Sequence, residues 1–323
     1  MPRLAVLTSG GDAPGMNAAI RSVVRCAVER GFEAVGIHGG YRGLAEGDLR
    51  PMGRRDVGGI IQLGGTVLGT TRFEELRSAE GRARARDALR MHQIAALVVI
   101  GGNGSQSGAA ALHADGAPVI GIASTIDNDL EGTDISIGAT TAVDVALEAI
   151  DHLRNTASAM RRAFLVEVMG RHCGYLALTA GIAGGAEVIA LPETDLEPES
   201  IAAQLLASYE RGKSHAIAVI AEGAKYDAET LMRYFKEHHD RLGFDLRVTK
   251  LGHIQRGGNP GAFDRTLATL LGAAAVDAAV EQHYGILIGM REGKPARTPL
   301  PQVAGKTKPA DLNLFELARV LAM

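Results

Sequence analysis

The segment Ile94-Ala-Ala-Leu-Val-Val-Ile-Gly-Gly-Asn-Gly-Ser105 runs an apolar stretch directly into a glycine loop. A short apolar run bounded by glycines reads as a strand buried on both faces of a parallel sheet, and the glycines let backbone N–H groups wrap a phosphate. A second run, 118–122, leads into Ala123-Ser-Thr-Ile-Asp-Asn-Asp-Leu-Glu-Gly-Thr-Asp134, which crowds Asp127, Asp129, Glu131 and Asp134 into one loop. A phosphate loop beside carboxylates that can hold a metal or take a proton suits phosphoryl transfer. Similar aliphatic runs recur at 4–7, 34–37, 164–168, 188–191, 216–220, 246–251 and 286–288, with helix-periodic segments between most of them. This alternation predicts an α/β fold of two doubly wound, largely parallel β-sheet domains covered by helices on both faces.

In such folds ligands gather at the carboxyl ends of strands. The polar, glycine-rich segments 8–12, 101–105, 124–129 and 169–171 all begin where a strand should end. Val143, Leu147, Ile150 and Leu153 mark an amphipathic helix over 140–156 that connects the domains, and Leu312, Leu314, Leu317, Val320 and Leu321 mark a final helix.

At 323 residues and 46% hydrophobic content the chain can fill about two cores. A net charge of −3 gives no global attraction to nucleic acid or a membrane surface, and with aromatics at only 4% base-stacking platforms are scarce. Cys26 and Cys173 have no metal-ligand spacing, which favours reduced thiols and a cytoplasmic setting, with Cys173 a small buried thiol. The chain runs straight into the 4–7 strand, and no stretch reaches the roughly 18 apolar residues of a membrane span.

Further motifs leave more than one reading open. Thr8-Ser-Gly-Gly-Asp-Ala-Pro-Gly-Met-Asn17 is either a phosphate-facing strand-to-helix loop or an ordinary tight turn. Gly102, Gly104 and Gly108 approach a dinucleotide fingerprint, which keeps a nicotinamide-dependent oxidoreductase in view; against it, the acid that follows is a cluster rather than a lone residue ending a strand. Gly305-Lys306-Thr307 imitates the end of a Walker A loop but lacks its first glycine, since Leu300 stands there. His253 and Arg256 beside two glycines suit a phosphate monoester. Arg21 and Arg25, one helical turn apart, read alone as a solvated stripe.

Together these motifs resemble the bacterial-type 6-phosphofructokinases of the group-A family, almost end to end. The resemblance is carried by LTSGGDAPGMN (7–17), GGTVLGTTRF (64–73), VVIGGNGS (98–105), TIDNDLEGTD (125–134), VEVMGR (166–171), AGGAEV (183–188) and GHIQRGG (252–258). It implies ATP-dependent phosphorylation of fructose 6-phosphate in glycolysis, assisted by Mg²⁺, in a cleft between a nucleotide-binding domain (1–138 plus about 255–305) and a sugar-phosphate domain (139–254 plus about 306–323). By the same resemblance Asp127 is the base and Thr125 positions the incoming phosphate. Arg72 and Arg171 neutralise charge, and Asp129 holds the metal.

ATP would be bound by Gly11, Tyr41, Arg72, Phe73, Arg77, Arg82, Gly102, Asn103, Gly104, Ser105 and Gly108. The sugar phosphate would meet Thr125, Ile126, Asp127, Met169, Gly170, Arg171, Glu222, His253 and Arg256, with Arg162 and Arg247 coming from a neighbouring subunit of a homo-oligomer, typically a tetramer. Arg21, Arg25, Arg54, Arg154, Gly185, Glu187, Arg211, Lys213 and His215 match positions where the family binds an anionic effector, a nucleoside diphosphate or phosphoenolpyruvate.

Pyrophosphate-using members typically carry Asp at the position of Gly104 and Lys at that of Ser124, so ATP is the expected donor; ATP-dependent relatives usually have Gly where Ser124 stands. The main departure is Asn103, where relatives usually place an Asp at the Mg²⁺ site. A neutral amide there weakens the metal site and admits a weakly active or regulatory paralogue as an alternative. Arg161 beside Arg162, and Leu63 where relatives often have Arg, are further differences.

Overall fold

In a computed structural model, which describes residues 1–322 apart from Arg72, Arg161, Gly243 and Asp245, the apolar runs become strands. In chain order these are β1 (Arg3–Thr8), β2 (Glu33–Ile37), β3 (Leu49–Pro51), β4 (Ile94–Gly101), β5 (Val119–Ala123), β6 (Ala163–Val168), β7 (Val188–Ala190), β8 (Ala216–Ala221), β9 (Leu246–Lys250), β10 (Ile286–Arg291) and β11 (Lys294–Pro299). The chain divides into two units, Met1–Thr141 with Arg256–Thr307 and Ala142–Gln255 with Lys308–Met323.

In the first unit the sheet order is β11-β10-β5-β4-β1-β2-β3. The five inner strands run parallel, and the edges β3 and β11 are antiparallel to their neighbours. The chain winds outward from β1 through β2 to β3, then returns to β4 on the other side of β1. That reversal is a switch point, where the loops following β1 and β4 diverge and leave a crevice. Leu4, Leu7, Leu97, Ile100, Ile120 and Ile122 are fully buried, so the unbroken apolar runs reflect strands covered on both faces. The edge strands escape a periodicity reading because they carry edge chemistry: β11 is Lys-Pro-Ala-Arg-Thr-Pro, whose prolines and charges suit an unpaired rim.

The second unit holds a wholly parallel sheet of order β7-β8-β6-β9. Its core gathers Leu165, Ile201, Leu205, Ile220, Leu231 and Phe235. A single helix, Ala139–Met160, longer at both ends than the 140–156 pattern, carries the chain from the first unit into the second. Cys173 is buried as expected, and neither Cys26 nor Cys173 forms a disulfide. No helix among the described residues is long and apolar enough to cross a membrane.

Candidate active site

At the switch point of the first unit lies a cavity of about 640 Å³. The loop after β1 supplies Ser9, Gly10 and Gly11; the loop after β4 and the first two turns of helix Asn103–Ala114 supply Gly102, Asn103, Gly104, Ser105 and Gly108; the loop after β5 supplies Thr125, Asp127 and Asp129. The loop after β1 is tied to β4 by Ser9 N–H to the Ile100 carbonyl (3.0 Å), and the start of the acidic loop by Ser124 N–H to the Gly101 carbonyl (3.2 Å). Tyr41 is buried and donates to the Ser105 carbonyl at 2.6 Å, and burial pushes its hydroxyl well above the ordinary phenol range. Gly108 makes room for that ring: a Cβ there would stand 2.7 Å from Leu76 Cδ2 and 3.0 Å from Tyr41 Cε2. Phe73 and Arg77 complete the wall.

Of the sequence-predicted ATP residues, all but Arg72 line this one cavity; Arg72 lies outside the described residues. Arg82 lines it with a guanidinium already committed, donating to the Asp115 carboxylate at 2.7 Å and to the Arg77 carbonyl at 2.8 Å. Its geometry suits positioning of the 76–77 turn.

The acidic loop is closed on itself. Asn128, in the left-handed region at φ 49°, accepts from Ser136 N at 2.9 Å and donates to the Asp134 carbonyl at 3.2 Å. Ser136 Oγ donates to the Thr125 carbonyl at 2.7 Å. These bonds hold the segment carrying Asp127 and Asp129 against the cavity, while Ile126 is buried beneath it. Asp134 accepts from Glu292 N at 2.7 Å, so its carboxylate shapes the β10–β11 turn.

Whether a metal fits can be read from the donors. Asp129 lines the cavity, and Asn103 Oδ1 is a buried acceptor with no hydrogen-bond partner. Among the described residues no group of three or more His, Cys, Asp or Glu gathers to hold an ion by itself. That donor set fits Mg²⁺, which commonly takes one or two protein oxygens and completes its shell with water and substrate phosphates.

The space above Gly104 is open, with nothing within 4 Å of an added Cβ. Gly104→Asp is therefore expected to fold normally, because an acid in the first turn favours a helix. The same carboxylate would oppose a bound polyphosphate. The thermal midpoint should stay within about 2 °C of the parent or rise, while KM for ATP rises by at least about tenfold; an unchanged KM would show that the nucleotide does not pass over this position.

In the second unit the loops at the carboxyl ends of the strands interlock. Glu222 N–H reaches the Val168 carbonyl at 2.8 Å, and Gly223 N–H reaches the Gly170 carbonyl at 3.2 Å. Gly170, at φ 124°, packs against the Cys173 carbonyl, where a Cβ would come within 2.5 Å. Met169, Gly170, Arg171 and Glu222 thus form one rim, next to the turn Gly252–Gln255 that carries His253. Gln255, fully buried, accepts from Met169 N at 2.8 Å and fixes that turn to the rim. The sequence reading did not single it out, although it sits inside the GHIQRGG motif. Arg162 and Arg247 stand elsewhere, beside the start of β6 and near the start of β9. In the first unit, Arg256 extends across the loop after β1 and donates to the Asp12 carbonyl at 3.0 Å.

The effector candidates of the second unit also cluster. Glu187, 6% exposed, accepts from Ile217 N at 2.6 Å and from Lys213 Nζ at 3.0 Å. Arg154 lies against Gly185, and His215 Nδ1 is 2.8 Å from Ser158 Oγ. Arg211 donates to Ser208 Oγ and to the Ala322 carbonyl. In the first unit Arg21 and Arg25 share helix Met16–Glu29, and Arg54 pairs with Glu29 at its end.

Glycine loops at a switch point, facing a fixed pair of carboxylates, define an α/β protein that binds a phosphorylated ligand and can act on it. Residues 3–279 match the phosphofructokinase family. Over its whole length the chain is 51% identical to "ATP-dependent 6-phosphofructokinase 1" of Thermus thermophilus and 46% identical to the ATP-dependent 6-phosphofructokinase of Thermotoga neapolitana, each covered completely. Among solved structures it resembles phosphofructokinase from Saccharomyces cerevisiae (TM-score 0.87, 39% identity), with 94% of this chain covering 45% of that one, so it spans under half of the yeast chain. A pyrophosphate-dependent phosphofructokinase from Marinobacter aquaeolei shares the fold (TM-score 0.86, 23% identity, 97% of this chain and 86% of that one). The chain belongs to the phosphofructokinase family.

Proposed function

We propose that this chain transfers the terminal phosphate of ATP to the 1-hydroxyl of fructose 6-phosphate. The observation that carries the reading is the cavity in which a glycine phosphate loop faces Asp127 and Asp129, in a chain half identical from end to end to an ATP-dependent 6-phosphofructokinase. Asp127 takes the hydroxyl proton as the new P–O bond forms, when the alcohol becomes acidic. Thr125 orients the incoming phosphate, and Arg72 and Arg171 balance charge that develops on it. His253 and Arg256, with Met169, Gly170 and Glu222, hold the sugar phosphate. Asp129 and the amide of Asn103 would hold Mg²⁺, which would supply neutralisation of phosphate charge. Free sugar phosphates as substrates agree with a cytoplasmic enzyme.

Arg162 and Arg247 support an oligomeric active site. They lie toward the amino ends of β6 and β9, whereas the Met169–Arg171 rim lies at the carboxyl end, roughly 17–20 Å away along a six-residue strand. One sugar phosphate cannot touch both, so these arginines suit a neighbour's site, in a homo-oligomer that we take to be a tetramer. The clusters around Arg154–Glu187–Lys213 and Arg21–Arg25 support an anionic effector, either a nucleoside diphosphate or phosphoenolpyruvate.

A coupled assay for fructose 1,6-bisphosphate with fructose 6-phosphate and ATP, then with pyrophosphate in place of ATP, tests the reading. Turnover with ATP alone is expected. A second reading, a weakly active or regulatory paralogue, rests on the neutral Asn103 and predicts nucleotide binding with little turnover in the same assay.

Arg161, which lies outside the described residues, precedes Arg162 in sequence, so if a quaternary shift exchanged one for the other, positive charge would remain in both states. Saturation with fructose 6-phosphate is therefore expected to be nearly hyperbolic, and a strongly sigmoidal curve would count against this pairing.

A further inference from the structure

Asn103 opens helix Asn103–Ala114 directly after Gly102 and lines the same cavity as Asp127 and Asp129. Its Oδ1 is shielded from solvent and accepts no hydrogen bond, while Nδ2 makes only a long 3.4 Å contact to the Asp129 carbonyl. A buried polar atom without a partner is costly, and that cost disappears when a ligand supplies the partner.

We infer that Asn103 lets this cavity accept metal-free and metal-loaded nucleotide almost equally, so that nucleotide affinity here depends little on the divalent ion. The inference deepens the reading of this cavity as a nucleotide site. A carboxamide carries an acceptor and a donor on one rotatable group. Rotated so that Oδ1 reaches the cavity, it accepts from a water on a bound cation; with the amide turned over, it offers Nδ2 to a phosphate oxygen. A carboxylate at this position could serve the cation only, and it would repel a polyphosphate whose charge no metal had neutralised.

The charges around Asn103 make a neutral side chain matter. The cavity already sets Glu74, Asp127 and Asp129 against Arg77, Arg82 and Arg256, and Arg82 is committed to Asp115 at 2.7 Å. Arg77 is likewise paired with Glu74 at 3.1 Å, so one more acid would tip this balance against an unneutralised polyphosphate. Open space above the adjacent Gly104 gives a phosphate room to come within reach of the amide.

The test is calorimetric titration of ATP into the full-length protein without sugar phosphate, once with excess EDTA and once with excess Mg²⁺. For the parent the two Kd values are expected within about threefold of each other. Asn103→Asp should weaken binding in EDTA by at least about tenfold and leave binding in Mg²⁺ equal or tighter, whereas Asn103→Ala, which adds no charge, should weaken the EDTA value only a few-fold. Thermal unfolding of both variants checks that they fold, and the parent's own ratio stands even if one does not. A parent that loses tenfold or more of its affinity on metal removal, or an Asn103→Asp variant that binds metal-free ATP like the parent, overturns the inference alone. Failure of the parent to bind in either condition overturns the nucleotide-site reading, and the inference with it.

Discussion

Replacing Asp127 with Asn is expected to lower kcat by about 10³-fold, equivalent to about 4 kcal/mol of transition-state stabilisation, with KM for ATP changed less than about threefold. Asn has nearly the same shape and keeps one acceptor oxygen, so the variant removes the ability to take a proton while preserving packing. Folding should survive because the bonds that close this loop run through other residues: Asn128 Oδ1 to Ser136 N, Asn128 Nδ2 to the Asp134 carbonyl and Ser136 Oγ to the Thr125 carbonyl. Nucleotide affinity should also survive, since the glycine loop after β1 is tied to β4 by Ser9 N–H, independently of the carboxylate. Steady-state kinetics with ATP and fructose 6-phosphate, together with a thermal melt, separate the possibilities. A loss of less than about tenfold with an intact fold would mean that the hydroxyl proton leaves by another route. If kcat and the thermal midpoint fell together, Asp127 would owe its importance to the loop rather than to chemistry.

The parts of this molecule that sequence revealed are those encoded within a short stretch. A strand buried on both faces must be apolar throughout, so the runs at 4–7, 94–100 and 118–122 announced β1, β4 and β5, and the loops at their ends announced the cavity. In the second unit β6, β7 and β8 were legible for the same reason, whereas β9, Leu-Arg-Val-Thr-Lys, is a partly exposed edge strand. What stayed hidden depends on partners distant in sequence or on chemistry without a period. Arg82 lines the cavity, and its guanidinium is also held by Asp115, a pair that nothing local to either residue forecasts. Gln255 reads as one polar residue among several until its bond to Met169 N shows that it fixes a turn. The rim strand β11 has two prolines and no alternation, so it resembles a loop until β10 is seen to pair with it. The separation of Arg162 and Arg247 from the Met169–Arg171 rim follows from strand direction, which a list of motif positions does not contain.

The strongest of these hidden ties is Asp264, and its removal should be the most damaging change to stability. Asp264 is fully buried; Oδ1 accepts from Gly138 N at 2.8 Å, and Oδ2 accepts from Thr141 N at 2.8 Å and Thr141 Oγ1 at 2.6 Å. The carboxylate sits in the first turn of helix Ala262–Val280 and is bonded to the first turn of helix Ala139–Met160, so two helix amino ends favour its charge. It also closes the far end of the acidic loop. Gly138, at φ 99°, passes so near the loop after β1 that a Cβ would lie 2.7 Å from that of Ala13. Asp264→Ala would strand two buried N–H groups and a hydroxyl, an expected loss of about 3–5 kcal/mol and a fall of roughly 6–12 °C in thermal midpoint. Asp264→Asn keeps one acceptor but turns an NH₂ group toward an N–H donor, so it should also destabilise, by a smaller amount. The catalytic consequence should differ from that of Asp127: at temperatures where Asp264→Asn is folded, kcat should fall less than about tenfold, because the residue acts only by positioning the loop. A midpoint within about 2 °C of the parent for Asp264→Ala would show that water or a rearranged loop satisfies these donors, and that the acidic loop is held chiefly from its Asn128–Ser136 end.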